Sequence, residues 1–352
     1  MGERFEPLSC ALRRSTVADG SDGTVERLEL AFDDLATAYP RTPSADLLSV
    51  VREHLGYTTS LLDGRATLTQ RCRLLVSGGW LSLLAATLLV DLHQERPAIA
   101  YLRTAEQLAR ETCHAEICAW VLETRAWQAL TSGECRRALE LSRAAQQAAP
   151  YGSSALIQAT AQEGRAWARL GDAGETRASL AMLERLVSPL AQPARPEHHY
   201  VYDPQKADVY VATTLTWLGD TAAEPAARAV LAALEDHGAT PPRRRRIALA
   251  RLDLGLALVN VGKHDEATAS VLDAVRSGRL APVDRPRVRE IIAAVAARGV
   301  PEARELADAY RAELGEQPDE RALCRRASAP HIFQDGGALS RSMRWLKRSF
   351  GF

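Results

Sequence analysis

The chain of 352 residues predicts an all-α fold, an α-solenoid of about five to seven antiparallel helical hairpins. Three observations predict it. Four glycine-centred turns, at Gly133, Gly171, Gly219 and Gly262, each follow a helical stretch and precede an alanine-rich one. They lie 38, 48 and 43 residues apart, the scale on which one helix–turn–helix unit repeats. No run of alternating apolar and polar residues reads as a strand.

The elements follow in order. Residues 1–23 end in Ala18-Asp19-Gly20-Ser21-Asp22-Gly23, a polar run expected to stay disordered. Thr24 is placed to cap a helix through Leu28, Leu35 and Ala38, broken at Tyr39-Pro40. Ser44 or Asp46 opens a second helix through Leu47, Val51 and Leu55, and Asp63-Gly64 turns the chain. Six hairpins are then expected: 68–90 with 97–111, 115–130 with 135–148, 154–170 with 175–187, 205–218 with 224–236, 242–261 with 265–277, and 286–297 with 301–314. Pro97 suits a helix's first turn, where a missing N–H costs nothing.

Gly133 and Gly262 each precede an alanine by five residues, as a tight turn followed by a small residue at a helix contact requires. From Gly171 and Gly219 the same step takes seven. The period is loose around the roughly 34-residue tetratricopeptide repeat, and a tetratricopeptide-like array over 24–315 is the reading preferred to other α-solenoids. A tail, 316–352, has a different composition.

Forty-four basic residues balance 44 acidic ones, so the global basic excess of a free-standing nucleic-acid binder is absent. The six cysteines (Cys10, Cys72, Cys113, Cys118, Cys135 and Cys324) form no Cys-x-x-Cys pair and read as reduced, buried thiols. Cys113, His114 and Cys118 diverge around a helix, so no metal site is expected. Residues 74–90 carry no charge, but a helix buried among neighbours has that pattern too, and no membrane span is expected. With no secretory leader, a cytoplasmic location is expected. No nucleophile–base pair, phosphate loop or metal spacing is found, so neither enzymatic activity nor a cofactor is expected.

Three segments are candidates for function. Residues 188–204 hold four prolines, cannot be helical, and bring together His198, His199, Tyr200, Tyr202 and Asp203. Either this loop folds over a concave face and contacts a ligand, or Tyr200 and Tyr202 pack on helices while Asp203 caps the next one. The run Arg243, Arg244, Arg245 and Arg246 begins a helix, where the macrodipole disfavours cations. It is either a site for an acidic partner, nucleic acid included, or a solvated turn paired with acids such as Glu235 and Asp236. In the tail, Arg344, Trp345, Lys347 and Arg348 accompany an apolar stripe of Leu339, Met343, Leu346 and Phe350. That stripe suits docking on a protein groove, a membrane surface or nucleic acid, or capping of the array itself. Trp80, Trp120, Trp127, Trp167 and Trp217 sit among alanines and read as core between repeats.

Several blocks are also similar to a known family. They are Phe32-Asp33-Asp34-Leu35-Ala36-Thr37-Ala38-Tyr39-Pro40, Pro43-Ser44-Ala45-Asp46-Leu47-Leu48, His54-Leu55-Gly56-Tyr57, Ser77-Gly78-Gly79-Trp80-Leu81-Ser82-Leu83-Leu84-Ala85, His114-Ala115-Glu116-Ile117 with Ala119-Trp120, and residues 195–204. They resemble the C-terminal tetratricopeptide-like region of actinobacterial XRE-type helix-turn-helix transcriptional regulators, over about residues 25–315. The resemblance implies a regulatory role, a protein, peptide or small-molecule ligand on the helical array, and homo-oligomerisation. Regulators of this kind read DNA through an N-terminal domain of roughly fifty residues or more. Only 23 residues precede the first expected helix. Two readings follow: a coding start further upstream, or an effector region that acts through partners and touches nucleic acid only indirectly.

Overall fold

The computed structural model describes residues 22–236, 244–299 and 302–314. Among these the fold is all-α, with no strand. The helices are α1 (Asp22–Ala38), α2 (Ser44–Asp63), α3 (Leu68–Asp91), α4 (Glu95–Glu111), α5 (Ala115–Thr131), α6 (Cys135–Ala148), α7 (Ser154–Leu170), α8 (Ala173–Val187), α9 (Gln205–Leu218), α10 (Ala223–Glu235), α11 (Arg244–Asn260), α12 (His264–Arg276), a 3₁₀ turn (Pro282–Asp284), α13 (Arg285–Ala296) and α14 (Glu302–Glu313). The first helix opens at Asp22, so the last two residues of the N-terminal segment expected to be disordered are helical. The tail, with Arg344, Trp345, Lys347 and Arg348, lies outside the described residues, as does Arg243.

The four expected glycine turns are of one kind. Gly133, Gly171, Gly219 and Gly262 all take left-handed backbone, φ between 75° and 83°. At Gly133 the peptide N–H donates to Leu130 O at 3.1 Å and that of Glu134 to Ala129 O at 2.8 Å. The same two bonds recur at the other three, satisfying carbonyls that a helix end leaves open. Two further turns share the geometry without glycine: His93 (φ 56°) between α3 and α4, and Cys113 (φ 54°) between α4 and α5.

Successive helices pack on each other, as hairpins must, but there is a second order. The odd-numbered helices also touch in sequence, α1 on α3, α3 on α5, and so on to α13. Among the even-numbered helices only α12 and α14 make a comparable contact. The odd row is therefore the inner one. Burial agrees: α4 buries one stripe, Ala98, Leu102, Ala105 and Ala109. By contrast α3 is buried on nearly every side from Ser77 to Asp91. This is the one helix among the described residues long and apolar enough to cross a membrane, and 83% of its apolar window is covered by the protein itself.

The inner row closes on itself. Arg245, in the first turn of α11, reaches Asp91 at the end of α3. Val283 of the 3₁₀ turn joins the core built around α1, α3 and α5. Residues 188–204, irregular as their prolines dictate, run from α8 back to α1, where His199 N–H donates to Ala36 O at 3.1 Å and Arg195 pairs with Asp34 at 3.0 Å. These contacts leave a space in the middle.

Candidate functional site

A cavity of about 230 Å³ occupies that space. Every odd-numbered helix from α3 to α13 contributes to its wall, as do Tyr39 and Pro40 just after α1, while no residue of an even-numbered helix does. Thr87 comes from α3, Glu123 and Trp127 from α5, Gln158 and Arg165 from α7, Tyr210 from α9, Arg245 and Arg246 from α11, and Arg287 from α13. Glu197 and His199 of the proline-rich segment complete it.

That segment combines the two readings of its sequence. Tyr200 and Tyr202 are core residues, 3% and 4% exposed. Tyr200 lies between Phe32, Trp80 and Trp120, with ring centroids 5.1 to 5.9 Å away, and its hydroxyl meets Thr87 Oγ1 at 3.1 Å. Tyr202 stacks on Tyr210 and its N–H donates to Ser154 Oγ. Asp203 Oδ1 accepts from Gln205 N at 3.0 Å, capping α9. His198 is buried, accepts the Tyr200 N–H on Nδ1, and sits 3.4 Å from Asp33. Burial holds its imidazole below the ordinary histidine range despite that carboxylate. His199 alone of the pair faces the cavity, against the ring of Tyr39 at 4.4 Å. Burial, reinforced by Lys206, holds it well below the ordinary range, so it stays neutral at pH 7. Lys206 Nζ clasps the carbonyls of His198, His199 and Val201, fixing the segment over the cavity.

Within the arginine run, Arg245 and Arg246 are neither solvated nor presented outward. Arg244 is exposed, but Arg245 and Arg246 turn inward, with side chains 16% and 14% exposed. Arg245 holds Asp91 through two hydrogen bonds of 2.6 and 2.9 Å. Arg246 lies 3.4 Å from Glu197 and 3.5 Å from Asp203. The unfavourable macrodipole at this helix start is offset by three carboxylates from other parts of the chain. Glu235, one of the acids expected beside the run, pairs with Arg251.

Tryptophan is likewise divided. Trp120 is core at 2% exposure, whereas Trp127 lines the cavity. Trp217 carries Arg169 over its ring at 4.2 Å and Arg287 at 5.5 Å. Cys72 and Cys113 are exposed, contrary to the expectation of buried thiols, and Cys118 and Cys135 are half-buried. Among the described residues no group of three or more His, Cys, Asp or Glu is disposed to hold a metal.

Most of the polar wall escaped the reading of the sequence. Its signal was present: Glu123 follows Val121 and Leu122, Asp253 stands between Leu252 and Leu254, and Asp91 ends the longest apolar run. A carboxylate on an otherwise apolar helix must find a partner inside, or change its charge. Asp253 does the first, accepting from Thr213 Oγ1 at 2.6 Å and pairing with Arg287. Glu123 does the second. Among the described residues only Gln158 Nε2 donates to its carboxyl, at 3.1 Å, and burial lifts its pKa from the ordinary 4.5 to about 7. The chain matches no family model and no curated protein.

Proposed function

We propose that the chain is a non-enzymatic regulator of tetratricopeptide-like build that binds a small ligand, or the end of a peptide, in the cavity bounded by its odd-numbered helices. One observation carries the reading: a single cavity collects side chains from α3, α5, α7, α9, α11 and α13. A ligand there touches all these helices at once, so its binding energy can bias how the row closes. The volume is below the roughly 300–1,000 Å³ of drug-sized pockets, which favours an occupant of metabolite size. The resemblance of residues 25–315 to the helical region of XRE-type regulators supports a role in transcriptional regulation, exerted from the cytoplasm through a partner protein or a second copy of the chain.

The test is a thermal-shift screen of the full chain against metabolites and short peptides. A saturable rise in melting temperature is expected, abolished by Leu249→Trp, which places an indole in the cavity. No rise with any compound, or equal binding by the Trp variant, rejects the proposal.

A further inference from the structure

We infer that the cavity is built for a small zwitterion, a free α-amino acid or dipeptide, with its ammonium group at Glu123 and its carboxylate at Arg165. This rests on the cavity being a ligand site, and adds the chemical class of the ligand.

The inference comes from the order in which the wall's charges are used. Arg245 is taken by Asp91, Arg246 by Glu197 and Asp203, and Arg287 by Asp253. Lys206 is engaged by the carbonyls of His198, His199 and Val201, and Asp284 accepts the Ala281 N–H. That leaves two opposite charges held by side-chain amides alone, Glu123 on α5 and Arg165 on α7. Neither has an ion-pair partner among the described residues, and they do not pair with each other although both line the same cavity.

Arg165 is held but not neutralised. Its guanidinium lies 4.4 Å over the ring of Tyr210, donates to the Gln162 side chain, and keeps a buried Nε–H without an acceptor. Arg165 as a whole is half-buried, but a buried N–H with no acceptor is costly, and an anion at the guanidinium offsets that cost. Glu123 is 5% exposed and has one amide hydrogen bond, from Gln158 Nε2. Burial leaves it near its midpoint at pH 7, so it becomes fully ionised only when a cation comes to it.

Gln158 joins the two ends. Its amide donates to Glu123 and, at 2.7 Å, to Tyr210 Oη. The Tyr210 hydroxyl accepts that bond, which frees its own proton to donate into the cavity beside Arg165. The wall thus presents a carboxyl acceptor, then a phenol donor and a guanidinium, ordered for an ammonium followed by a carboxylate. Trp127, Val209 and Leu249 supply an apolar surface for the remainder of the ligand. A pure anion would meet the wall's carboxylates and a pure cation its arginines. A ligand carrying both signs fits the balance.

The experiment is calorimetric titration of the full chain with L-leucine, L-phenylalanine and L-leucylglycine, set beside N-acetyl-L-leucine and L-leucinamide, each of which lacks one charge. At least one zwitterion is expected to bind with Kd below about 1 mM. The matching capped forms should bind about ten- to a hundredfold more weakly, the range of a charge-assisted hydrogen bond. Arg165→Met should weaken L-leucine and N-acetyl-L-leucine but not L-leucinamide, and Glu123→Gln, which keeps the bond to Gln158, should weaken L-leucine and L-leucinamide but not N-acetyl-L-leucine. Circular dichroism melts of both variants establish that they are folded. Capped forms binding as tightly as zwitterions overturn the two-charge assignment while leaving a ligand cavity. If a metabolite library binds but no zwitterion does, the ligand class is wrong. If nothing in the library binds, the ligand-site reading fails with it.

Discussion

Arg245 and Asp91 join positions 154 residues apart through two hydrogen bonds, and Asp91 Oδ2 also accepts from Tyr39 Oη at 2.8 Å and Ser44 Oγ at 3.0 Å. Asp91 is fully buried, so its removal strands a guanidinium and two hydroxyls in the interior. Asp91→Ala is expected to destabilise by about 3–5 kcal/mol, and Arg245→Met by a similar amount. The double variant Asp91→Leu/Arg245→Met should recover most of that loss, since no unpaired charge remains. Urea denaturation of the three variants measures the coupling. Additive losses would mean that the pair does not clamp α3 to α11.

Tyr200 makes a separable prediction for the segment crossing the cavity. Its ring fills a site formed by Phe32, Trp80 and Trp120, while its hydroxyl contributes one hydrogen bond with Thr87. Tyr200→Phe should cost about 1 kcal/mol, and Tyr200→Ala about 3–5 kcal/mol. Equal, small effects in equilibrium denaturation would mean that the segment is only loosely attached.

Helix periodicity and turn chemistry are local properties, and these were legible. The six expected hairpins are present among the described residues, with ends within about two residues wherever both can be compared (the expected starts at 242 and 301 lie outside the described residues), because glycine and proline mark the same breaks in the sequence and in space. The turns at His93 and Cys113 were not legible, since neither residue type announces left-handed backbone. The cavity was less legible still. Arg245 and Arg246 stand out as a charge run, but their partners Asp91, Glu197 and Asp203 lie far off in sequence, so inward and outward readings are equal until the row closes. Glu123 and Arg165 sit one per helix on neighbouring inner helices, and no short window contains both.

Gly255 tests how closely α11 and α12 approach. A β-carbon there would fall against the Val271 side chain and within 3.4 Å of the Ala267 carbonyl. The position is helical, so alanine carries no φ penalty and its better helix propensity would stabilise by about 1 kcal/mol were there room. The clash should outweigh that gain. Gly255→Ala is expected to destabilise by about 1–3 kcal/mol, and Gly255→Ala/Val271→Ala to be less stable than wild type but more than additivity allows. A stabilised single variant in thermal unfolding would show that α12 yields freely.

Glu123 sets an expected dependence on pH. It faces Gln158 and Arg165 from α7 and Lys206 from α9, and burial outweighs the pull of both cations. In the unfolded chain its carboxyl ionises near 4.5, and in the folded chain near 7. Below about pH 4.5 it is protonated in both states and costs nothing. Between the two values the unfolded chain gains by releasing the proton, so stability falls as pH rises, and the loss is complete above about 7. The difference corresponds to about 3 kcal/mol at most. Glu123→Gln mimics the neutral carboxyl and keeps the Gln158 contact. It should come within about 1 kcal/mol of wild type near pH 5 and exceed it by about 3 kcal/mol at pH 8. Urea unfolding of both proteins across pH 5–8 reads the difference directly. A gap that stays constant over that range would show that Glu123 ionises at its ordinary pKa, and so that water or a cation already reaches it.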